Sequence, residues 1–224
     1  MEYDAMGEWV EWHAGYAPGT PLARRLALVQ DRIRTALDDR PRGPIRIISM
    51  CAGDGRDILG VIAGHPRRPD VSARLVELDP ELASRARERA AELSAMVDVV
   101  TGDASITSAY AGAVPADIVL VCGVFGNVSD DDVNRTVTYL PSLCAPNATV
   151  IWTRGTFEPD LTATIRVWFM EAGFTELDFV AIPDTTLGVG ANRLTAPARA
   201  FEPGIRLFTF LPRGERPSVR SRAG

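Results

Sequence analysis

The sequence contains no lysine: all 24 basic residues among its 224 are arginine. This absence excludes a Schiff base to pyridoxal phosphate, a P-loop lysine and the tyrosine–lysine pair of short-chain dehydrogenases. Histidine is scarce too, with only His13 and His65, so there are few candidates for an imidazole general base. The cysteines, Cys51, Cys122 and Cys144, lack metal-type spacing and predict reduced thiols, with no disulfide frame and no bound metal.

Long apolar runs are also missing. No stretch approaches the roughly 20 apolar residues of a membrane helix, and the acidic start, Met-Glu-Tyr-Asp, does not resemble a signal peptide. The net charge of −5 disfavours a nucleic-acid partner, which would favour a basic face. With 46% apolar residues, the chain is expected to be a cytoplasmic globular protein with neither membrane nor nucleic-acid partners, and its oligomeric state stays open.

Apolar strand patterns alternate with helical patterns along most of the chain. Strands are predicted at 45–50, 73–78, 97–101, 117–122, 148–153, 174–181 and 205–211. Helices are predicted near 56–63, 80–95, 105–111, 130–140 and 160–172. Such strands indicate an α/β, three-layer sandwich with a parallel sheet covered on both faces. The last two strands, joined by the connection 183–204 without a helix, predict an antiparallel pair at one edge, so that the last of seven strands is antiparallel.

The two ends of the chain differ from this alternating body, which spans 41–212. Residues 1–40 are predicted to form a helical lid segment that is rich in aromatic residues before Thr20. Thr20 and Pro21 predict an N-cap followed by proline at the first helical position. Residues 213–224 lack an apolar pattern and are predicted to be a disordered tail.

The most informative stretch runs from Ile45 to Asp57. An apolar strand leads into a turn in which Gly53 and Gly55 flank Asp54, and a helical pattern follows. A strand that ends in this way brings bare backbone against a ligand, and the amides at the start of the helix face that ligand. A simple tight turn has the same composition, so the turn by itself is weak support for a binding site.

Acidic residues at later strand ends strengthen the prediction, because these ends share one edge of a parallel sheet. Asp79 ends the second strand and is predicted to accept hydrogen bonds from ribose hydroxyls, with Glu77 as a less favoured alternative. Asp103 ends the third strand and is predicted to accept from an adenine amino group. Each aspartate is also a candidate helix cap, and for Asp79 the cap and the ribose contact are compatible.

The segment after the fourth strand is expected to pass beneath the glycine-rich turn. Phe125 and Asn127 are predicted to line a pocket there, although core packing is the commoner role of a phenylalanine. Cys122 is predicted to be a small buried side chain and not a nucleophile. Arg154, after the fifth strand, is a candidate to neutralise a substrate carboxylate, with a plain surface arginine as the alternative.

Over residues 45–211 these features resemble the class I S-adenosylmethionine-dependent methyltransferases, which have a Rossmann-like fold. The family's motif is Asp-x-Gly-x-Gly-x-Gly; Ser49 and Cys51 depart from it, while Gly53 and Gly55 match it. The resemblance implies S-adenosylmethionine as cofactor. It implies cofactor contacts from Ala52, Gly53, Asp54, Gly55, Asp79, Asp103, Ala104, Cys122 and Gly123.

The resemblance also implies direct SN2 methyl transfer to an oxygen or nitrogen of a small-molecule acceptor, in specialised metabolism. In this family an N-terminal helix commonly closes over the cofactor. On that pattern Tyr16 would donate to the methionine carboxylate, Trp12 would line the acceptor pocket, and His13 would be the imidazole base. Simple packing of the aromatic residues against the body of the domain is the alternative.

Three other functions are alternatives to methyl transfer. A nicotinamide-dependent oxidoreductase would require Gly-x-Gly-x-x-Gly, whose third glycine is replaced by Ile58. A protein of the same fold could bind the cofactor for regulation or for a cyclisation, because fold does not fix function. An RNA methyltransferase would carry an Asn-Pro-Pro-Tyr or Asp-Pro-Pro-Tyr signature after the fourth strand, and the sequence has none there.

Overall fold

A computed structural model describes residues 15–93, 95–156 and 160–216. The strands are β1 (Ile45–Met50), β2 (Val71–Glu77), β3 (Met96–Thr101), β4 (Ala116–Val121), β5 (Cys144–Gly155), β6 (Phe174–Ala181) and β7 (Leu187–Leu194). The α-helices are α1 (Pro21–Asp38), α2 (Ile58–Ile62), α3 (Pro80–Glu92), α4 (Asp130–Tyr139) and α5 (Thr162–Glu171). No helix within the described residues is long and apolar enough to cross a membrane.

All seven strands form one sheet, in the order β3-β2-β1-β4-β5-β7-β6. Strands β1 to β5 pair in parallel, and β7 lies antiparallel between β5 and β6. Helices flank this sheet, so the predicted fold class is confirmed. The parallel strands bring the segments that follow β1, β2, β3, β4 and β5 to one edge, where ligands bind in such sheets.

The seventh strand is not where the sequence pattern predicted it. The prediction of a strand at 205–211 is wrong, because β7 occupies Leu187–Leu194 inside the segment predicted to be a connection. Gly188, Gly190 and Asn192 are weak strand formers, so the local sequence pattern did not indicate a strand there. Gly190 lies opposite Trp152 of β5, and a Cβ atom there would collide with the indole ring. Tertiary packing therefore favours glycine where local propensity disfavours it.

Gly190→Ala is expected to lower stability, because the added methyl must displace the fully buried ring of Trp152. Overpacking of this kind costs about 1–3 kcal/mol, which corresponds to a fall in melting temperature of about 2–12 °C for a chain of this size. Thermal denaturation measures the change. Gly64→Ala is the control, since a Cβ there has nothing within 4 Å. Equal melting temperatures for the two variants would contradict the expectation.

The core lies on both faces of the sheet. On one face Trp152 stacks on Phe169, at 5.6 Å between ring centroids, and its indole nitrogen donates to Asn192 at 2.8 Å. On the other face α1 packs Ile33 and Leu37 into the cluster that also holds the buried residues of α2. Part of the predicted lid segment therefore belongs to the core of the domain.

The other sequence predictions have mixed outcomes. The N-cap at Thr20 is confirmed, since its hydroxyl accepts from the amide of Ala23 at 3.1 Å. The helix predicted near 105–111 is a 3-10 turn at Thr107–Tyr110. Most of the predicted tail, 217–224, lies outside the described residues, as do residues 1–14.

Candidate functional site

The glycine-rich turn between β1 and α2 has a backbone conformation that residues other than glycine rarely adopt. Cys51, Gly53 and Gly55 have φ values of 51°, 58° and 70°. A Cβ atom on Gly55 would approach Leu59 at 2.7 Å and Leu75 at 2.8 Å. Glycine is therefore required at this point by both conformation and space.

The carboxylate of Glu77, at the end of β2, holds this turn in place. It accepts the Gly53 amide at 2.7 Å and the Asp79 amide at 2.9 Å. Burial raises the pKa of Glu77, and the hydrogen bonds from the Asp79 and Gly53 amides oppose that rise. Sequence reasoning ranked Glu77 behind Asp79; in the structure, Glu77 is the acid that touches the turn.

Asp79 performs the capping role that the sequence also predicted for it. One oxygen of its carboxylate accepts the amides of Glu81 at 2.8 Å and Leu82 at 3.0 Å, at the start of α3. The residue is only 6% exposed. Its carboxylate stabilises the first turn of α3. Asp79 lies two residues beyond Glu77, the last residue of β2.

Asp103 lies one strand further along the same edge, after β3. One oxygen accepts the amide and the hydroxyl of Ser105, at 2.9 and 2.6 Å, and the other lies 3.3 Å from Arg206. Burial tends to raise the pKa of Asp103, but the Ser105 hydrogen bonds and the charge of Arg206 outweigh it and lower the pKa. Ala104 beside it is buried, and its carbonyl accepts the hydroxyl of Tyr110 at 2.6 Å.

The segment after β4 is held from two sides. The amide of Gly123, a residue with φ +77°, donates to the hydroxyl of Thr153 at 2.8 Å. The side-chain amide of Asn127 donates to the Gly123 carbonyl at 2.7 Å. Burial raises the pKa of Cys122, as it does for the other two thiols, so all three are protonated at neutral pH. The loop therefore presents backbone and amide groups, and no activated thiolate.

Two residues predicted to line the substrate pocket are directed elsewhere. The ring of Phe125 is fully buried and packs against Trp152 and Phe169, at 5.9 and 6.5 Å between centroids, so core packing describes it. The side chain of Arg154 is 2% exposed, donates to the Phe125 carbonyl and lies 3.9 Å from Asp130. Burial lowers the pKa of Arg154. Its guanidinium supports the loop after β4.

A group of arginines surrounds Tyr16 where α1 approaches the turn. The Tyr16 hydroxyl accepts from Arg25 at 2.6 Å, and the Arg56 guanidinium lies 4.4 Å from the centre of the phenol ring. Arg56 also donates to both oxygens of Asp54, at 2.8 and 2.6 Å, and Arg89 is 3.2 Å from Asp54. Burial raises the pKa of Tyr16, so the phenol keeps its proton. Asp54 thus holds Arg56 and Arg89, and Arg25 places its guanidinium on the Tyr16 hydroxyl beside the turn.

Several functional candidates differ from those that the sequence predicted. Trp12 and His13 lie outside the described residues. The sequence did not indicate a role for Arg25, because this residue lies off the apolar stripe of α1. Tyr16 precedes the helix, so helical spacing does not predict that the two residues meet. Arg206 was missed because only the tertiary fold brings it to Asp103, 103 positions away.

Asp57→Asn is expected to stabilise the protein above pH 6. Burial raises the pKa of Asp57 from 3.8 to about 6, and the charge of Asp54 adds to this, while the bond from the Ile58 amide opposes it. The folded chain thus holds a proton that the unfolded chain releases between pH 3.8 and 6, so stability falls as the pH rises through that window.

Asparagine keeps the cap on Ile58 and removes the ionisation cost. We expect the melting temperature at pH 8 to rise by about 2–8 °C, from roughly 1–2 kcal/mol. The difference should shrink toward zero near pH 4, and thermal denaturation across this range measures it. Equal melting temperatures for the variant and the wild type at pH 8 would contradict the expected free-energy cost of ionising Asp57.

Comparison with solved structures finds this fold in methyltransferases. The magnesium protoporphyrin IX methyltransferase of Synechocystis PCC 6803, solved with bound S-adenosylmethionine, has a TM-score of 0.63 at 13% identity, over 81% of this chain and 88% of that one. An O-methyltransferase family protein from Burkholderia thailandensis has a TM-score of 0.57 at 14% identity, over 75% of this chain and 57% of that one. The CurJ carbon methyltransferase has a TM-score of 0.61 at 15% identity, over 76% of this chain and 54% of that one.

No family model and no curated protein matches the sequence. At these identities the structural likeness concerns the fold alone. The antiparallel β7 and the glycine-rich turn after β1 agree with the resemblance seen in the sequence. The chain therefore has the Rossmann-like fold of the class I methyltransferases.

Proposed function

We propose that this protein is an S-adenosylmethionine-dependent methyltransferase that acts on a small molecule. One observation carries the proposal: Glu77 ends β2 and Asp103 follows its parallel neighbour β3, beside a turn whose backbone is bare at Gly53 and Gly55. This arrangement matches the ribose and the base of an adenosine group. The solved methyltransferase from Synechocystis holds S-adenosylmethionine in one structure and its demethylated product in another.

In this proposal Glu77 accepts the ribose hydroxyls and Asp103 accepts the adenine amino group. Leu78 follows Glu77 and is 60% exposed. Its exposed surface would pack against one face of the adenine ring. Asp79 would act through the helix cap and would not need to touch the sugar.

The methionine end of the cofactor would extend toward α1 and the loop after β4. Arg25 and the protonated hydroxyl of Tyr16 would bind the carboxylate, because both are donors and Arg25 carries the positive charge. The backbone around Gly123, fixed by Thr153 and Asn127, would contact the same part of the ligand.

The cofactor, when bound, supplies a methyl group that is already activated on a sulfonium. The protein must therefore hold the acceptor in line with that methyl and exclude water, a contribution on the order of 7–11 kcal/mol. Protonated thiols and the lack of lysine leave few bases, which favours an oxygen or nitrogen acceptor that loses its proton readily. His13 remains the proposed base where one is needed.

A hollow of about 620 Å³ offers a place for the acceptor. It is lined by Pro21 at the start of α1 and by residues 184–187 of the turn between β6 and β7. Arg24 ties the two elements together by donating to the Pro183 carbonyl at 3.0 Å.

S-adenosylhomocysteine, the demethylated product, should raise the melting temperature while NAD should not. At about 100 times its dissociation constant, a ligand adds about 2.7 kcal/mol of stability, which is about 5–10 °C for a chain of this size. Differential scanning fluorimetry measures both ligands on one plate. A shift with NAD alone would favour the oxidoreductase alternative.

A second candidate is a regulator or a cyclase that binds the same cofactor without methyl transfer, and the shortage of general bases favours it. Incubation with acceptor mixtures and cofactor labelled in the methyl group separates the two. Label transferred to a product supports the methyltransferase. Binding without transfer to any acceptor supports the second candidate.

A further inference from the structure

The chain returns to the ligand edge of the sheet after β7. Residues 201–211, which we call the C-terminal strap, cross from the loop after β3 to the loop after β4. Arg206 forms an isolated antiparallel bridge with Ile106, and Phe210 forms another with Val128. The segment predicted to be a strand is thus a strap that joins the two loops bordering the proposed cofactor site.

The backbone on both sides of Arg206 is fixed. The amide of Leu207 donates to the Ser105 carbonyl at 2.8 Å, and the amide of Thr107 donates to the Ile205 carbonyl at 2.9 Å. The side chain of Leu207 is fully buried. Arg206 therefore leaves the strap from a defined position beside the loop after β3.

The other end of the strap is attached to the loop and helix after β4. The amide of Thr209 donates to the Asp132 carboxylate at 2.8 Å. The amide of Leu211 donates to the carbonyl of Asn127 at 2.8 Å, and Asn127 also holds Gly123. The strap thereby couples the proposed adenine end of the site to its methyl-transfer end.

The guanidinium of Arg206 completes the environment of Asp103. It donates to the Ser105 hydroxyl at 2.8 Å and lies 3.3 Å from the second carboxylate oxygen of Asp103. Ser105 occupies the first oxygen. Donors from two distant parts of the chain thus hold this carboxylate in one orientation and favour its ionised form.

We infer that the C-terminal strap forms one wall of the cofactor site, and that Arg206 is the positioning residue through which Asp103 selects adenine. The inference rests on the proposed function. A carboxylate that is fixed and ionised accepts a hydrogen bond from the 6-amino group of adenine and repels an oxygen at that position. Without Arg206 the carboxylate turns more freely, and the discrimination between amino and oxo groups weakens.

The test compares S-adenosylhomocysteine with S-inosylhomocysteine, in which an oxygen replaces the 6-amino group, by titration calorimetry. In the wild type we expect a preference for the adenosyl compound of at least tenfold. Arg206→Gln should weaken binding of the adenosyl compound by about tenfold and leave the inosyl compound nearly unchanged, so the preference collapses. Arg199→Gln is the matched control, since Arg199 lies on the same C-terminal stretch but donates to the Thr138 carbonyl.

Each outcome bears on one statement. If the wild type binds neither compound, the cofactor assignment fails and the inference fails with it. If the wild type prefers the adenosyl compound and Arg206→Gln keeps that preference, or loses affinity for both compounds equally, only the role of Arg206 is overturned. In an Asp103→Asn background, Arg206→Gln should not change the preference further; a further change would overturn the action through Asp103. Arg206 is half-exposed, and its variant should melt with the wild type.

Discussion

Glu77→Gln is expected to weaken S-adenosylhomocysteine binding by on the order of 100-fold, whereas Asp79→Asn should change it by less than about threefold. The Glu77 carboxylate fixes the Gly53 amide and is the acid proposed to accept the ribose hydroxyls. Hydrogen bonds to a charged acceptor contribute about 1.5–3 kcal/mol each, and about 2.7 kcal/mol corresponds to 100-fold in affinity. Titration calorimetry of both variants measures the difference.

Asp79→Asn serves as the matched control for this experiment. Asparagine caps a helix about as well as aspartate, so α3 keeps its start and the fold is retained. The prediction from the sequence alone was the reverse, with Asp79 on the ribose. A large loss of affinity in Asp79→Asn together with normal binding by Glu77→Gln would show that Asp79, and not Glu77, contacts the ribose.

Arg25→Gln is expected to weaken S-adenosylhomocysteine binding by about 10–100-fold and to leave binding of 5′-methylthioadenosine unchanged. The second compound shares the adenosine but lacks the amino-acid part, so it makes no contact with a carboxylate-binding arginine. Loss of a charged hydrogen bond costs about 1.5–3 kcal/mol, which accounts for the size of the effect. The two dissociation constants, measured on one protein preparation, give the result.

The neighbouring arginine provides the control. Arg24 is adjacent in α1 but donates to the Pro183 carbonyl, so Arg24→Gln should bind both compounds as the wild type does. Glu77→Gln, by contrast, should weaken both compounds, because both carry the ribose. Equal losses for both compounds in Arg25→Gln would mean that Arg25 supports the fold of the site and does not bind the carboxylate.

The sequence allowed the fold class and the outline of the site to be predicted, because both follow from short patterns. Apolar strands that alternate with helices require a covered parallel sheet, and the acids at 77, 79 and 103 follow two neighbouring strands in it. The roles within that outline could not be predicted. Glu77 and Asp79 are two residues apart and both acidic, and only the position of the Gly53 amide distinguishes the turn-holding acid from the helix cap.

The positions of β1 to β6 along the chain, the bare turn at Gly53 and Gly55 and the shortage of bases are thus properties of the sequence itself, since local patterning and composition determine them. The tertiary structure decided where β7 lies, that Phe125 packs in the core, that Arg154 supports a loop and that Arg206 reaches Asp103. Each of these depends on a contact between residues that are distant in the chain, such as Gly190 against the ring of Trp152. Local propensity carries no information about such partners, because packing between distant parts of the chain determines them.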